Sequence, residues 1–505
     1  MTVFTQVNKP VCDPASPIAS PSIASLDHSL LRGIAWTGAV KWGSQLLSWV
    51  STIVVARVLA PSDYGLVAMA MAFLGLVALV NEFGLGSAIV MVRSLSRAQV
   101  SQLNSLALSL GLAGFAVACA AALPLAKFYN APDLPWVVVA LGGTFLTAGL
   151  CSVPNAILEK SLRFKTLALV EGGQSLVNAT VTVLLALIGF GYWALVLGGL
   201  ISGVATAIVV VSIAGAPFSV PNYQTLKSVL SLSWHLLASR LAWYLSSTAD
   251  VFIAGRILGP AALGSYSFAL TLANIPMERV TALVNRVSPA VYSAVQHDFS
   301  ALRRYVLGLT EGLAMITFPA AFGLALVSEE FVLLVLGEKW QAIIVPLGVL
   351  ATYAAVRSVA SLLPPILFVT GGSRFGMFNG LWAMVVFPIA FYIGSAWGVL
   401  GIAVAWMVVH PLSLLPIYWR VFSTIQLTAG QYLKALWPAL SGTVVMAIAV
   451  LSAKLFLPVN SSLALRFLAL VAVGGAAYLA TTVGLHRARV QTFLSLIRAA
   501  RSPQA

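Results

Sequence analysis

Charged residues within long apolar stretches are the part of this sequence best suited to chemistry. Histidines aside, eleven residues are of this kind: Lys41, Arg240, Arg279, Arg286, Arg357, Arg466, Glu82, Glu171, Asp250, Glu278 and Glu311. A charge at the centre of a bilayer costs at least about 2.5 to 3.5 kcal/mol, so each needs a partner, a water-filled cavity or a function. Bases in such a place can bind an anion, and acids can exchange a proton or hold Na⁺.

Four of the bases form two pairs. Lys41 and Arg240 are separated by the period of an internal repeat, described below, and therefore lie at equivalent depths in its two copies. Arg279 and Arg286 are seven residues apart, which places them on one face of a helix, and Arg286 lies at a depth similar to that of Lys41. Guanidinium and ammonium groups bind the oxygens of anions such as phosphates. The two pairs therefore predict an anion-binding entrance.

The acidic residues permit two interpretations. Glu82, which follows Asn81, and Asp250, which follows the hydroxyl groups of residues 246–248, are candidates for ion coupling by a proton or Na⁺. Alternatively, the intramembrane charges pair with one another and only hold helices together. The pairs considered for that alternative are Lys41 with Glu82 and Arg279 with Glu311.

The composition identifies the elements that must position these residues. The chain of 505 residues is 60% hydrophobic and only 8% charged, and its mean hydropathy is +0.97. So few charges cannot cover the surface of a soluble protein of this size. The apolar runs divide into fourteen segments long enough to cross a bilayer. The chain is therefore predicted to be an all-α membrane protein with about fourteen transmembrane helices.

The distribution of basic residues sets the orientation. If the chain crosses the membrane at each of the fourteen predicted spans, seventeen of the bases outside the spans lie on one side of the membrane and five on the other. Because loops rich in Lys and Arg remain in the cytoplasm, both termini are predicted to be cytoplasmic, as an even number of spans requires. The net charge of +14 is explained in this way, without a nucleic-acid partner.

An internal repeat divides the spans. The segment Val55–Gly65 matches Ala254–Gly264 at an offset of 199 residues. The shared positions are Arg57, Leu59, Pro61 and Gly65, which recur as Arg256, Leu258, Pro260 and Gly264. Six spans fill each period, so the copies run parallel and are related by a pseudo-twofold axis along the membrane normal. The match also fits ordinary turn chemistry between two helices.

The repeat predicts two six-helix lobes followed by an additional pair of helices. The expected segments are a disordered cytoplasmic tail at 1–30, an N-lobe at 31–214, a C-lobe at 215–420, the additional pair at 421–485 and a basic amphipathic cytoplasmic tail at 486–505. Two lobes of this kind would face a central cavity.

Several longer motifs resemble one family of membrane proteins. They are ARVLAPSDYGLVAMAMAF, EFGLGSAIV, LEKSLRFKTLALVE, ADVFIAGRILGPAALGSYSFA and LGEKW, and the resemblance extends from about Leu31 to Arg420. The sequence is similar to the oligosaccharide flippases of the polysaccharide transport family, within the multidrug, oligosaccharidyl-lipid and polysaccharide exporter superfamily. Among these it is most similar to colanic acid and xanthan exporters.

The resemblance implies a substrate and a location. The substrate would be an oligosaccharide repeat unit on undecaprenyl diphosphate, moved from the inner to the outer leaflet of the bacterial inner membrane for exopolysaccharide biosynthesis. Lys41, Arg240, Arg279 and Arg286 would then bind the diphosphate. A polysaccharide polymerase and the export machinery are candidate partners.

Two other functions are considered. A cation-coupled multidrug exporter of the same superfamily fits twelve of the helices, but Lys41 and Arg240 would repel organic cations. A membrane glycan polymerase or ligase would need a large outer loop, and the longest one, about 328–344, is short. No Walker A loop, HExxH or GxSxG motif is present, and no metal-ligand spacing, so neither catalysis nor a cofactor is expected beyond H⁺ or Na⁺ coupling.

Aromatic residues near the paired bases are candidates for stacking on sugar rings. Trp42, Trp243 and Tyr244 are the principal ones, and Trp382 and Trp406 are further candidates. Most tryptophans of membrane helices lie in the interfacial belts or pack against neighbours, which is the alternative interpretation.

Overall fold

The computed structural model of the chain describes residues 23–82, 96–161, 163–215, 217–220, 234–458, 461–487 and 489. Within these ranges the regular structure is helical throughout. A helix satisfies its own backbone hydrogen bonds, which apolar surroundings cannot do, and this explains why the apolar runs fold in this way.

Among the described residues, seven helices precede residue 216. They are α1 (Ile23–Val58), α2 (Pro61–Glu82), α3 (Arg97–Tyr129), α4 (Leu134–Gly142), α5 (Thr144–Lys160), α6 (Phe164–Leu187) and α7 (Trp193–Ala214). The helix α1 begins eight residues before the predicted start of the N-lobe. The remainder of the predicted N-terminal tail lies outside the described residues.

Nine helices and two irregular turns follow in the part of the chain that the structure describes. They are α8 (Trp234–Ala294), α9 (Phe299–Leu326), α10 (Ser328–Phe331), a π-helical turn (Val332–Leu336), a 3₁₀ turn (Glu338–Ile343), α11 (Ile344–Ala360), α12 (Leu363–Val369), α13 (Ser373–Ser395), α14 (Gly398–Ile425), α15 (Ala429–Phe456) and α16 (Leu463–Leu485). The predicted amphipathic tail lies almost entirely outside the described residues.

The predicted spans agree with these helices. Within the described part, twelve helices are long and apolar enough to cross a membrane. One of them belongs to α8, which is interrupted at Gly259, where φ is +81°. Pro260 then begins a new helix, because proline is favoured in a first turn and lacks the N–H that would continue the old one. With α8 counted as two helices and α1 added, the structure reproduces the fourteen predicted spans in order.

By contact, the chain forms two units. The first contains Met1–Leu59, Phe73–Lys127 and Pro132–Leu241. In it, α6 packs along both α1 and α7, and α3 packs against α5 through a small apolar core that includes Leu103 and Val153. This unit positions the Lys41 backbone within α1.

The second unit contains Ala60–Ala72, Phe128–Ala131 and Ala242–Ala505. Its centre is α9, which packs against α11 and α15, while α13 pairs with α14 and α15 with α16. Buried residues of α9, α11, α14 and α15 form the main part of a large hydrophobic core. The first turns of α2 thus belong with the second unit by contact. The predicted lobe boundaries stay a prediction.

Candidate functional site

The structure places the predicted anion-binding bases on two helices. Lys41 lies in α1, and Arg240 and Arg279 lie in α8. The side chains of these three residues lie outside the described part of the structure, as does that of Glu82, the last residue of α2. Arg286 is exposed on α8. The diphosphate site therefore stays a prediction at all four bases, and so does the pairing of Lys41 with Glu82.

Glu311 has a partner that was not considered from the sequence, while its pairing with Arg279 stays a prediction because that side chain is not described. Its carboxylate lies 3.1 Å from a guanidinium nitrogen of Arg489, beyond the end of α16. In the same region, the His486 ring nitrogen Nε2 and the Ser441 hydroxyl are 2.9 Å apart. These contacts attach the chain following α16 to α9 and α15.

Asp250 is the most completely buried of the candidate acids whose side chains are described, with 1% of its surface exposed. The Tyr266 hydroxyl donates a hydrogen bond to Asp250 Oδ2 at 2.5 Å. The indole N–H of Trp406 lies 3.0 Å from the same oxygen and 2.7 Å from the Tyr266 hydroxyl. The backbone N–H of Val251 donates to Oδ1 at 2.8 Å. We call Asp250, Tyr266 and Trp406 the Asp250 network.

Two of the three hydroxyl groups that precede Asp250 in sequence bond to the backbone of their own helix. The Ser247 and Thr248 hydroxyls donate to the carbonyl oxygen of Tyr244, at 3.1 and 2.7 Å. Such bonds to the preceding turn are common for Ser and Thr in apolar helices. These two oxygens therefore bond within their own helix in this structure.

An aromatic wall surrounds the Asp250 network. The ring of Tyr353 lies 5.4 Å from those of both Trp406 and His410, and Phe387 and Phe391 pack on the other side of Trp406. His410 is buried, and its ring nitrogen Nδ1 has no hydrogen-bond partner. The network is thus enclosed by side chains from α8, α11, α13 and α14.

An arginine closes one side of this wall. The guanidinium of Arg357, on α11, lies 5.8 Å from the Tyr353 ring centroid and donates to the Asn274 side-chain oxygen at 2.8 Å. Arg357 is one of the intramembrane bases singled out from the sequence. In the structure its hydrogen-bond partner is a neutral amide.

The candidate aromatics fall into two groups. Trp243 is 67% exposed, and Trp42 and Trp382 are also exposed, so their rings are available for contact with lipid or ligand. The Tyr244 hydroxyl, by contrast, donates to the carbonyl oxygen of Ala72 at 3.0 Å. Trp406 is buried in the Asp250 network, which makes it unsuitable for stacking on a sugar.

The two copies of the sequence repeat contact each other. A Cβ atom added to Gly65 would lie 1.8 Å from the carbonyl oxygen of Pro260, and one added to Gly264 would lie 1.7 Å from that of Pro61. Each helix thus approaches the other through the glycine four residues after its first proline, where any side chain would collide. This reciprocal contact, the glycine crossing, supports the interpretation of the match as a repeat.

The LGEKW motif covers the glycine crossing. Trp340 is fully buried, and its ring lies 5.4 Å from that of Tyr64 and 4.5 Å from that of Phe268. Tyr64 precedes Gly65, and Phe268 lies one helical turn after Gly264. The segment between α10 and α11 therefore packs over both copies of the repeat.

A second buried carboxylate lies near the end of α9. Glu330 is 1% exposed, and its two carboxylate oxygens lie 2.9 Å from Lys454 Nζ and 3.2 Å from Arg466 Nε. The second of these is an ion pair without an aligned hydrogen bond. This Glu330 triad joins α10 to α15 and α16, beside an apolar cluster that includes Val327, Met446 and Leu470.

Sequence reasoning missed the partners in both buried clusters. Tyr266 is 16 residues from Asp250 and Trp406 is 156 residues away, so no local spacing links them. Lys454 and Arg466 were recognised as bases near or within spans, but nothing in their spacing indicates Glu330. Among the described residues, no group of three or more His, Cys, Asp or Glu side chains could hold a metal ion.

Comparison with known proteins finds relatives that are named for polysaccharide biosynthesis. The sequence profile of a family described as "Polysaccharide biosynthesis protein" matches residues 54–345. The lipopolysaccharide biosynthesis protein WzxC of Escherichia coli is 25% identical over 82% of this chain and 85% of its own length. The succinoglycan biosynthesis transport protein ExoT of Rhizobium meliloti is 24% identical over 94% of this chain and 97% of its own.

Solved structures show the same fold. The lipid II flippase MurJ, in an inward closed conformation, superposes with a TM-score of 0.71 at 14% identity, covering 90% of this chain and 99% of that one. A multidrug resistance transporter of the MATE family, in the MOP superfamily, superposes with a TM-score of 0.56 at 18% identity, covering 76% of this chain and 96% of that one.

Proposed function

Because the chain belongs to the polysaccharide biosynthesis protein family, we propose that it is a flippase that moves lipid-linked oligosaccharide repeat units across the membrane by alternating access. The observation that carries this proposal is the match over nearly its whole length to a protein named for transport in succinoglycan biosynthesis. The flippase fold and the contact between the two repeat copies are compatible with it. The carrier would be undecaprenyl diphosphate, and the direction from the inner to the outer leaflet of the bacterial inner membrane.

Transport in this proposal involves no catalysis by the chain. The substrate is moved intact, and the energy comes from an ion gradient, the membrane potential or removal of the product. A polymerase and export machinery would then consume the repeat units on the outer side.

The diphosphate is proposed to bind Lys41 and Arg240, with Arg279 and Arg286 at the entrance. Lys41 and Arg240 occupy equivalent positions in the repeat, so a headgroup between them would be held from two sides. A diphosphate is an anion that suits both an ammonium group and a guanidinium fork. Trp42 and Trp243, one residue after Lys41 and three after Arg240, are the proposed sugar contacts, since both are exposed.

Asp250 and Glu82 are the proposed coupling residues. Asp250 is buried in the second unit and accepts a hydrogen bond from the Tyr266 hydroxyl, without a cationic partner among the described residues, which supports a role in exchanging an ion. An ion can drive transport only if its affinity differs between the inward-open and outward-open forms. A negative diphosphate leaving a negative interior also gains about 2.3 kcal/mol per charge per 100 mV, so voltage is the alternative driving force.

The decisive experiment depletes the protein and measures the leaflet in which its lipid-linked oligosaccharide accumulates. A membrane-impermeant reagent that modifies the sugar separates the two leaflets. Protection of the precursor in depleted cells, with exposure restored by the wild-type gene, is the expected result. Exposure of most precursor on the outer leaflet in depleted cells would contradict the flippase.

The binding site is tested by substitutions of Arg240. Arg240→Lys should retain partial export, since charge matters more than shape, and Arg240→Ala should lose most of it. The double variant with Lys41→Ala should be little worse than either single, because the two residues bind one headgroup. Normal export by the double variant at normal protein levels would contradict the proposed site.

The predicted cytoplasmic location of the termini is tested by a reporter that is active only outside the inner membrane. When it is fused after Ala505, it should stay silent.

A further inference from the structure

The donors around Asp250 determine which ion it can accept. Oδ2 faces the Tyr266 hydroxyl and the Trp406 indole, and Oδ1 faces the backbone N–H of Val251. An indole N–H is a donor without a lone pair, and so is a backbone N–H. The tyrosine hydroxyl is the one oxygen in this set, and its proton is directed at the carboxylate.

A sodium ion does not fit these partners. Hard cations are bound by several oxygen lone pairs at once. Two hydroxyls that precede Asp250 in sequence, those of Ser247 and Thr248, bond to the Tyr244 carbonyl oxygen. To bind Na⁺ at Asp250, the Trp406 N–H would have to leave Oδ2 and the Tyr266 hydroxyl would have to turn. The Tyr266 hydroxyl proton would then be buried without an acceptor, which is costly. The Trp406 N–H would keep the Tyr266 oxygen, 2.7 Å away, as its acceptor, but its positive end would lie beside the cation.

A proton fits without rearrangement. It adds to Oδ1 and neutralises the carboxylate, while the other lone pair of Oδ1 can still accept from the Val251 N–H. Oδ2 then remains the acceptor for Tyr266 and Trp406. The ionised form keeps all three donors, which offset the cost of burying its charge. The same neighbours therefore accommodate both forms of Asp250.

We infer that Asp250 is a proton-binding site that excludes Na⁺, and that the Trp406 indole N–H is the residue group responsible for this selectivity. The inference rests on the proposed flippase function, because it names the ion for the proposed coupling residue. It also gives Trp406 a positioning role in place of the predicted stacking on sugars.

Other titratable groups face the network and must be distinguished from Asp250. They are Tyr266 on α8, Tyr353 and Arg357 on α11, and His410 on α14, while α13 contributes the apolar rings of Phe387 and Phe391. None of them is a carboxyl group. The carbonyl stretch of a protonated carboxylic acid therefore distinguishes Asp250 from every neighbour in the network.

The experiment is infrared difference spectroscopy of the purified full-length protein in lipid nanodiscs, titrated with acid. The expected result is a carboxylic-acid band that disappears in Asp250→Asn and whose midpoint is the same in sodium chloride and in choline chloride. If Na⁺ competed with the proton, mass action would lower the midpoint by about one pH unit for each tenfold increase in Na⁺. Such a shift, or the absence of any Asp250 band between pH 4 and pH 9, would overturn the proton site.

Trp406→Phe tests the selectivity. It removes the N–H while keeping an aromatic ring, and its midpoint should become sensitive to Na⁺. Trp382→Phe, at an exposed tryptophan, is the matched control and should behave as the wild type. A midpoint that stays insensitive to Na⁺ in Trp406→Phe would overturn the role of Trp406. The measurement uses no lipid-linked sugar, so its failure is distinct from failure of the flippase proposal, which the leaflet assay tests separately.

Discussion

Asp250 and Glu330 are equally buried carboxylates with opposite kinds of partner. Each is 1% exposed. Glu330 lies between two cations, Lys454 and Arg466, whereas Asp250 lies among the neutral donors of Tyr266 and Trp406. Among the described residues, no ion pair to Asp250 is found.

The difference separates a structural charge from one that can be exchanged. Neutralising Glu330 would leave two cations, near the end of α15 and the start of α16, without a counter-charge. The surroundings of Glu330 therefore require its ionised form. Neutralising Asp250 leaves no uncompensated charge. Burial alone therefore does not identify an ion-coupling residue. The charge of the partners distinguishes an ion-coupling residue from a structural one.

The largest expected effect is on export. Asp250→Asn should reduce polysaccharide export at least tenfold and leave lipid-linked precursor on the inner leaflet, because the amide cannot exchange a proton. Thermal unfolding of the purified variant should change little, since asparagine keeps an acceptor oxygen for Tyr266 and Trp406. The control is Glu278→Gln, at an exposed position of α8. Wild-type export by Asp250→Asn would favour voltage as the driving force. It would also show that Asp250, like Glu330, is not required for ion coupling.

The second effect is on stability. Glu330→Gln should destabilise the fold by about 3 kcal/mol, the lower end of the range for breaking a buried ion pair, because Lys454 and Arg466 are partly exposed. The measurement is thermal or denaturant unfolding in a lipid-like detergent. Glu329→Gln, the exposed neighbour, is the matched control and should change stability by less than about 0.5 kcal/mol. Equal stability of the two variants would show that the triad is dispensable.

A smaller effect is expected from Lys454→Met. Glu330 keeps Arg466 as a partner, and the apolar methionine suits the surrounding cluster, so the loss should be about 1 kcal/mol. The same unfolding assay applies. A loss as large as that of Glu330→Gln would mean that Lys454 supplies the whole counter-charge, and that the triad is in fact a pair.

The smallest effect concerns a carboxylate outside the membrane spans that is also held by neutral donors. Asp298 accepts hydrogen bonds from the backbone N–H of Ala301, the hydroxyl of Ser300 and the backbone N–H of Ser300, and these hold its pKa below the usual range. Its contribution to stability should be complete above its unfolded pKa of about 3.9 and be lost as the pH falls through the lower folded value. Asp298→Ala should abolish this loss of stability at acidic pH. The measurement is the free energy of unfolding as a function of pH, and identical curves for the wild type and Asp298→Ala below about pH 5 would refute the prediction.

The fold could be predicted from the sequence because its cause is local. Each span is a continuous apolar run, and the break between two of them within α8 is encoded by Gly259 and Pro260. The repeat was detectable because Pro61 and Gly65 recur at a constant offset as Pro260 and Gly264. These signals depend on neighbours in sequence, and all of them correspond to features of the structure.

The candidate site could be predicted only in part. Asp250 was identified because a carboxylate in an apolar run is conspicuous. Its partners were not, since Tyr266 contacts it across the break in α8 at Gly259 and Trp406 contacts it from α14, and no spacing encodes either contact. Trp406 was assigned to sugars for the same reason. Likewise, the partner of Glu311 follows from how the chain after α16 lies against α9.

The glycine crossing has a consequence for how the chain is built. Each copy of the repeat presents a proline carbonyl and a glycine, and each receives the glycine and carbonyl of the other. A contact in which the same patch serves both sides is isologous, the kind found at the interface of a symmetric homodimer. The contact between the two copies of the repeat therefore has, within one polypeptide, the self-complementary form of a homodimer contact.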